Sequence, residues 1–366
     1  MLSKLSLTNF RSYSKGDFEF GKTTIFIGPN GIGKTNILEA IYLLSTGRSW
    51  RTSKDNESIK WNEDFAKISA EIISEDAHKL DLVLQKQGFE APLIKTIKIN
   101  DVKRKMVDLL GKMPAVLFSP EEIQMADGAP ALRRRFLDIL LCQTDKYYTL
   151  GLIELGKVLK NRNKLLFHIK IGKGKPDELD FWDEKLLENG KMIIENRRQA
   201  IDRLNKKIGK IYDEISGRKE KLELKYKPSV EADVFGEMLV AYREREIENV
   251  ATLHGPHRDD FTFLLDGRDL TTFGSRGEFR TAILALKIGE LDYLKSKLEA
   301  EPILLLDDIF SELDAARRMH LAKIVEEAQA IITTTDLDHV EKGLREKAKI
   351  VELKSVIFPT DLKTSL

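Results

Sequence analysis

Gly28-Pro29-Asn30-Gly31-Ile32-Gly33-Lys34-Thr35 is the stretch that decides the fold. It satisfies the pattern G-x-x-x-x-G-K-[ST] in full, after a β-branched run at 23–27 and before helical spacing over 35–44. Strand, glycine loop and helix in that order let backbone N–H groups curl around phosphate oxygens at the positive end of a helix dipole. Lys34 is expected to neutralise the β- and γ-phosphates, and the Thr35 hydroxyl to hold Mg²⁺. All eight residues, Gly28, Pro29, Asn30, Gly31, Ile32, Gly33, Lys34 and Thr35, form the expected ATP cradle. The alternative, a glycine-rich turn that merely opens a helix, does not explain why strand, loop and helix occur together.

A second motif lies near the other end of the chain. Pro302-Ile303-Leu304-Leu305-Leu306-Asp307-Asp308 is an apolar run closed by two acids, as in a buried parallel strand whose tip faces a nucleotide. Asp307 is the expected Mg²⁺ partner with Thr35. Asp308 is expected to orient, or take a proton from, the water that attacks the γ-phosphate. A compact kinase or small GTPase holds its two motifs within one short domain, whereas here a large insertion separates Lys34 from Asp307.

The pattern between them supports that insertion. Residues 1–120 read as strands around one helix, with strands over 4–8, 18–20, 65–73, 80–85 and 94–99 and a turn at Asn100-Asp101. Over 121–249 apolar residues recur at three and four, which predicts long amphipathic helices over 133–144, 146–167 and 178–208, the last two paired as a hairpin. From 250 to 366 the α/β pattern returns, with a strand at 260–265, a helix at 278–298, a buried strand at 303–306, a helix at 315–328 and a strand at 331–335. The expected fold is an α/β ATPase head split by a helical arm.

Composition narrows the classes further. The 366 residues are 42% hydrophobic, enough for a sizeable core. Their 60 basic and 59 acidic side chains nearly cancel, so any nucleic-acid binding must come from local patches. The lone Cys142 excludes an intramolecular disulfide and a cysteine-rich zinc site, which fits a reducing cytoplasm. No stretch reaches the roughly 20 apolar residues of a membrane span, so no membrane association is expected.

The split layout is similar to the ATP-binding-cassette superfamily and its SMC-like branch. Further segments resemble the bacterial RecF recombination-repair family: Asn9-Phe10-Arg11, Leu43-Leu44-Ser45-Thr46-Gly47-Arg48-Ser49, Phe118-Ser119-Pro120-Glu121, Arg133-Arg134-Arg135-Phe136-Leu137-Asp138 and Gly255-Pro256-His257-Arg258-Asp259-Asp260. They occur in the family's order across nearly the whole chain. The resemblance implies a DNA-binding ATPase of DNA replication, damage repair, recombination and the SOS response, which forms an ATP-dependent homodimer on double-stranded or gapped DNA. It implies slow hydrolysis that releases the DNA, and cooperation with RecR and RecO in loading recombinase.

It also implies a signature that completes the partner subunit's ATP site, here Ser275-Arg276-Gly277-Glu278-Phe279-Arg280 at a helix start. Ser275, Gly277 and Arg280 are the residues expected to reach the γ-phosphate, with Arg11 a further phosphate contact. Ser311-Glu312-Leu313-Asp314 resembles the loop that crosses the dimer interface, and 333–335 stands where transporters of the superfamily carry a switch histidine. Glu278 departs from the family's usual glutamine, and an inward-pointing carboxylate there would repel a triphosphate. Two other readings are a transporter's nucleotide-binding subunit, which the RecF-like segments oppose, and a DNA clamp that binds ATP structurally with little turnover. Candidate DNA contacts are the basic groups at 103–105, 133–135, Lys170/Lys173/Lys175, Arg197-Arg198 and Arg48/Arg51. With no base-reading motif beside them, little sequence specificity is expected.

Overall fold

Strands that are apolar on both faces can satisfy themselves only inside a covered parallel sheet. Ala115–Phe118, Ile303–Asp307 and Ala330–Thr334 are buried at every residue. With Thr23–Ile27 and Lys349–Glu352 they form a five-stranded sheet in which every neighbouring pair is parallel. From one edge to the other it runs 349–352, 23–27, 330–334, 303–307, 115–118. Register sets Asp307 beside Thr333 and Thr334 beside Ile27, so the carboxyl ends of three strands share one edge. That edge is where an open parallel sheet binds ligands. The structure, a computed structural model, describes residues 1–73, 78–88 and 93–354.

A second, antiparallel sheet has six strands, in the order Tyr13–Glu19, Leu2–Phe10, Phe65–Ile72, His78–Gln85, Ile94–Ile99, Val102–Arg104. Alternation decides its faces: Ala66, Ile68, Ala70, Leu80, Leu82 and Leu84 are buried, and Lys67 and Lys79 on the opposite face reach out to Asp81. The turn expected at Asn100-Asp101 is a two-residue hairpin with φ of 49° and 64°, the left-handed geometry that these two residue types tolerate. Helix Lys34–Thr46 packs on both sheets through Ile37, Leu38, Ile41 and Leu44, and Gly47 ends it at φ 72°. The buried Gln329 carboxamide closes the assembly: it accepts from Leu2 N at 2.7 Å and donates to Leu2 O at 2.7 Å and Gly21 O at 3.1 Å.

The chain divides into two compact units, Met1–Pro120 together with the chain from Ala300 onward, and Glu121–Glu299. The change of sequence pattern at 250 falls inside the second of these units. Strand Asp260–Leu265 forms as expected, but its partners are Leu222–Lys227 and Arg268–Asp269, in a separate antiparallel sheet of three. Helix Arg276–Lys297 packs on Ile208–Ser216, Pro130–Thr144 and Leu179–Asn205. An α/β pattern identifies strand and helix without naming the sheet they join. Residues 355–366 of the expected C-terminal segment lie outside the described residues.

Within the second unit, helices Lys146–Lys170 and Leu179–Asn205 pack together as the expected hairpin. Its centre is charged. Arg162, fully buried, donates to Asp183 at 2.7 Å, to Glu246 at 2.6 Å and to Thr252 Oγ1 at 2.9 Å. Arg197 donates to Asp138, Asp259, the Tyr148 hydroxyl and Pro256 O. A buried guanidinium is tolerable only when satisfied in this way.

Candidate nucleotide site

Two left-handed glycines shape the phosphate loop, Gly31 at φ 80° and Gly33 at φ 108°. A Cβ on Gly33 would sit 2.8 Å from the Tyr13 hydroxyl and 3.0 Å from Ser12 Oγ, so the loop demands glycine there for space as well as for φ. At Gly31 nothing lies within 4 Å of such a Cβ, so that side of the loop is open to a ligand. Lys34 is buried, and its ammonium donates to Gly28 O at 2.5 Å and Pro29 O at 3.0 Å. Burial pulls its proton affinity below that of an ordinary lysine, and the carboxylates of Asp308 and Asp307 pull the other way.

Thr35 Oγ1 donates to Asp307 Oδ1 at 2.9 Å, and Thr333 Oγ1 donates to the same oxygen at 2.7 Å. The two expected Mg²⁺ ligands, drawn from opposite ends of the chain, are therefore neighbours. A hydroxyl beside a carboxylate is a hard oxygen set suited to Mg²⁺, which completes its shell with water and phosphate oxygens instead of a protein cage. The residues present fit both a triphosphate and its Mg²⁺.

Asp308 sits at φ 48°, and its N–H donates to Thr333 O and Thr333 Oγ1 at 3.1 Å each. The left-handed turn sends its side chain in a different direction from that of Asp307. Its Oδ1 is buried without a hydrogen-bond partner among the described residues. Burial raises its proton affinity, against the opposing pull of Lys34 and His339. A carboxylate desolvated in this way is a better base than a hydrated one. His339 carries no assignment from the sequence, and no motif could have marked it.

Arg11, the further phosphate contact that the resemblance implies, is engaged here by acceptors of the protein itself. Its Nε and Nη2 donate to both oxygens of the fully buried Glu39, at 2.9 and 2.5 Å, and its Nη1 to Glu57 O at 2.7 Å. Sequence reading passed over Glu39, because a glutamate on an amphipathic helix looks solvated. Ser311 Oγ donates to Asp308 O at 2.6 Å, and Asp314 caps helix Ala315–Glu327 by accepting from Arg317 N.

In the second unit, Ser275 is the N-cap of helix Arg276–Lys297. Ser275 Oγ accepts from Glu278 N at 3.3 Å, and a Glu278 carboxylate oxygen accepts from Ser275 N at 2.6 Å. This is a reciprocal capping box, which glutamine and glutamate form equally well. Glu278 is thus turned back onto its own helix start, and these hydrogen bonds with Ser275 hold its carboxyl below the usual range. Gly277 O accepts from Thr281 Oγ1 at 2.9 Å, and Arg280 lies one turn along the same helix.

The basic groups separate cleanly. Arg133 binds Asp260 through two nitrogens at 2.7 and 2.9 Å, Arg134 donates to Asp259 O, and Arg197 is buried. Arg198 pairs with Glu231. Those arginines brace the helical unit. Lys103, Arg104, Lys105, Lys170, Lys173, Lys175 and Arg48 remain at least partly exposed.

Comparison with known proteins gives the family and the fold. A model of the RecF/RecN/SMC N terminal domain matches residues 1–356. The DNA replication and repair protein RecF of Agathobacter rectalis is 40% identical over 352 residues, covering 96% of each chain. A solved structure of the recombination mediator protein RecF-ATP in the RecFOR pathway superposes with a TM-score of 0.85 at 36% identity, covering 93% of each chain. The Smc head domain from Pyrococcus furiosus, with a TM-score of 0.52 at 18% identity over 96% of this chain and 92% of that one, shares the fold.

Proposed function

This chain belongs to the RecF family of DNA replication and repair proteins, and from that premise we propose that it is an ATPase whose ATP-bound homodimer holds DNA and whose slow, DNA-dependent hydrolysis releases it. The observation that carries the reading is the contact of Thr35 with Asp307, beside a buried Lys34 and a desolvated Asp308. When bound, Mg·ATP supplies the γ-phosphoryl group and the charge that two subunits share.

This chain's residues supply the rest. Gly28 and residues 30–35 present backbone N–H groups to the phosphates, and Lys34 exchanges its loop carbonyls for phosphate oxygens. Thr35 and Asp307 hold the metal, Asp308 orients and deprotonates the attacking water, and Ser275, Gly277 and Arg280 reach the γ-phosphate of the partner copy. The exposed lysines and arginines contact the DNA backbone with little sequence specificity, on duplex or gapped DNA. RecR, with RecO, is the proposed protein partner in recombinase loading, and the cytoplasm the proposed compartment. No helix among the described residues is long and apolar enough to cross a membrane.

Parallel measurement of oligomeric state and DNA affinity with ATP, ADP and no nucleotide tests this. Dimers and tight DNA binding with ATP alone support the switch; a monomer in all three states would remove it. A second reading, a clamp that binds ATP structurally, is favoured by the carboxylate of Glu278 at the signature, whose charge opposes closure on a triphosphate. Steady hydrolysis that sets the DNA dissociation rate would sink that reading.

A further inference from the structure

We propose that Glu39 and Arg11 form a positioning pair that sets the phosphate loop from outside, through the turn at Ser12 and Tyr13. The proposal rests on the reading of residues 28–35 as the ATP site and assigns Arg11 a different task from phosphate binding.

Every nitrogen of the Arg11 guanidinium already has an acceptor, two on Glu39 and one on Glu57 O. Glu39 is equally committed: Oε1 also accepts from Ser49 Oγ at 2.5 Å, and Oε2 from Arg51 Nη1 at 3.1 Å. A carboxylate this buried, on the helix that begins with Lys34, fixes whatever holds it. What it holds is the turn after strand Leu2–Phe10, where Asn9 and Arg11 both sit at φ 50°. Asn tolerates that region, but an arginine held there needs outside support.

The turn leads straight to the loop. The two residues after Arg11 are Ser12 and Tyr13. Asn36 Nδ2 donates to Ser12 Oγ at 2.9 Å, and the Tyr13 hydroxyl donates to Gly33 O at 3.2 Å. The same two oxygens are the atoms that a Cβ on Gly33 would strike. Gly33 precedes Lys34, so a displaced turn alters the φ of the residue that aims the lysine and the first helical N–H groups. On the other flank, Arg51 bridges Glu39 to Asn36 Oδ1 at 2.8 Å and ties the segment after the helix to its first turn. Glu39 therefore ties the first two turns of the phosphate-loop helix to the chain segments that flank it on either side.

The test is a double-mutant cycle of Glu39→Gln and Arg11→Gln in the full chain, with the dissociation constant of Mg·ATP and the KM and kcat of hydrolysis as readouts. A positioning pair predicts that each variant weakens ATP binding by roughly tenfold, that the double variant is no worse than either, and that KM rises while kcat per dimer is kept. If Arg11 is instead a direct phosphate ligand, Arg11→Gln weakens binding and Glu39→Gln leaves it unchanged or tighter, which overturns the proposal. Additive losses, or no loss in either variant, overturn it as well. Tyr13→Phe, which removes one hydroxyl and leaves the pair intact, keeps the question open to measurement should the ion-pair variants not fold: weaker ATP binding supports the route through Gly33, and unchanged binding refutes it. Failure of the unaltered chain to bind ATP would count against the function itself, independently of the variants.

Discussion

Thr35 Oγ1 and Asp307 Oδ1 lie 2.9 Å apart although 272 residues separate them in the chain. The hydroxyl–carboxylate contact aligns the first turn of one helix with the tip of a strand made almost a whole chain later. Replacing Thr35 with Ala removes a metal ligand and a donor to Asp307 together, whereas Ser keeps both. Thr35→Ala should lower Mg²⁺-dependent ATP hydrolysis at least about a hundredfold, with Thr35→Ser near the unaltered rate. Equal activity of the two variants would show that the hydroxyl does not serve the metal.

Lys34 has burial against it and two carboxylates in its favour. Lys34→Ala should abolish detectable ATP-driven dimerisation, read by light scattering with Mg·ATP, and with it the gain in DNA affinity. Dimers that persist would mean that nucleotide does not control assembly.

Asp308 occupies the left-handed region at φ 48°, where Asn is as well tolerated as Asp. Asp308→Asn should therefore leave the melting temperature nearly unchanged while lowering kcat by about a hundred- to ten-thousandfold. A closed, ATP-loaded dimer should accumulate. A variant that hydrolyses ATP normally would move the base elsewhere.

Glu278→Gln preserves the capping box with Ser275 and removes one negative charge from the signature. Stability should stay within about 0.5 kcal/mol of the unaltered chain, and the ATP concentration that half-saturates dimer formation should fall. Ser275→Ala, by contrast, should cost about 1 kcal/mol as a lost cap. If the Glu278→Gln variant needs more ATP than the unaltered chain, the carboxylate assists closure.

In the second unit, Lys287 binds Glu290 at 2.5 Å and Glu122 at 2.8 Å, all three at least largely buried. Burial pushes Glu290 up to about 7, against the pull of Lys287. A carboxyl raised in the folded state binds more protons there than when unfolded, so this contribution to stability is present at low pH and is lost as pH rises from about 4.5 through about 7. Glu290→Gln should flatten the pH dependence of the melting temperature across that window. An unchanged profile would assign the proton elsewhere.

The phosphate loop and the acid-tipped strand were legible because their chemistry is written in adjacent residues. Helix Lys146–Lys170 and its partner were legible from their 3.6-residue period. Strand Ala115–Phe118 was not, since four apolar residues before Ser119-Pro120 carry no period of their own. The partner of Asp260–Leu265 was missed because alternation reports a face and never a neighbour. The Glu39–Arg11 ion pair was not legible for a related reason. A charged side chain at a surface-like spacing shows its burial only when elements distant in sequence meet around it.

The order of the parallel sheet has a consequence for how the protein is made. Thr23–Ile27, which carries the phosphate loop, is flanked on both sides by strands from the far end of the chain, Ala330–Thr334 and Lys349–Glu352. A ribosome that has translated 300 residues has produced the loop and its lysine but neither neighbour of the strand that presents them. A truncated product therefore carries the whole phosphate-loop motif on a strand that has no sheet to join. The strand that presents the phosphate loop therefore gains its sheet neighbours only once residues 330–352 have been made.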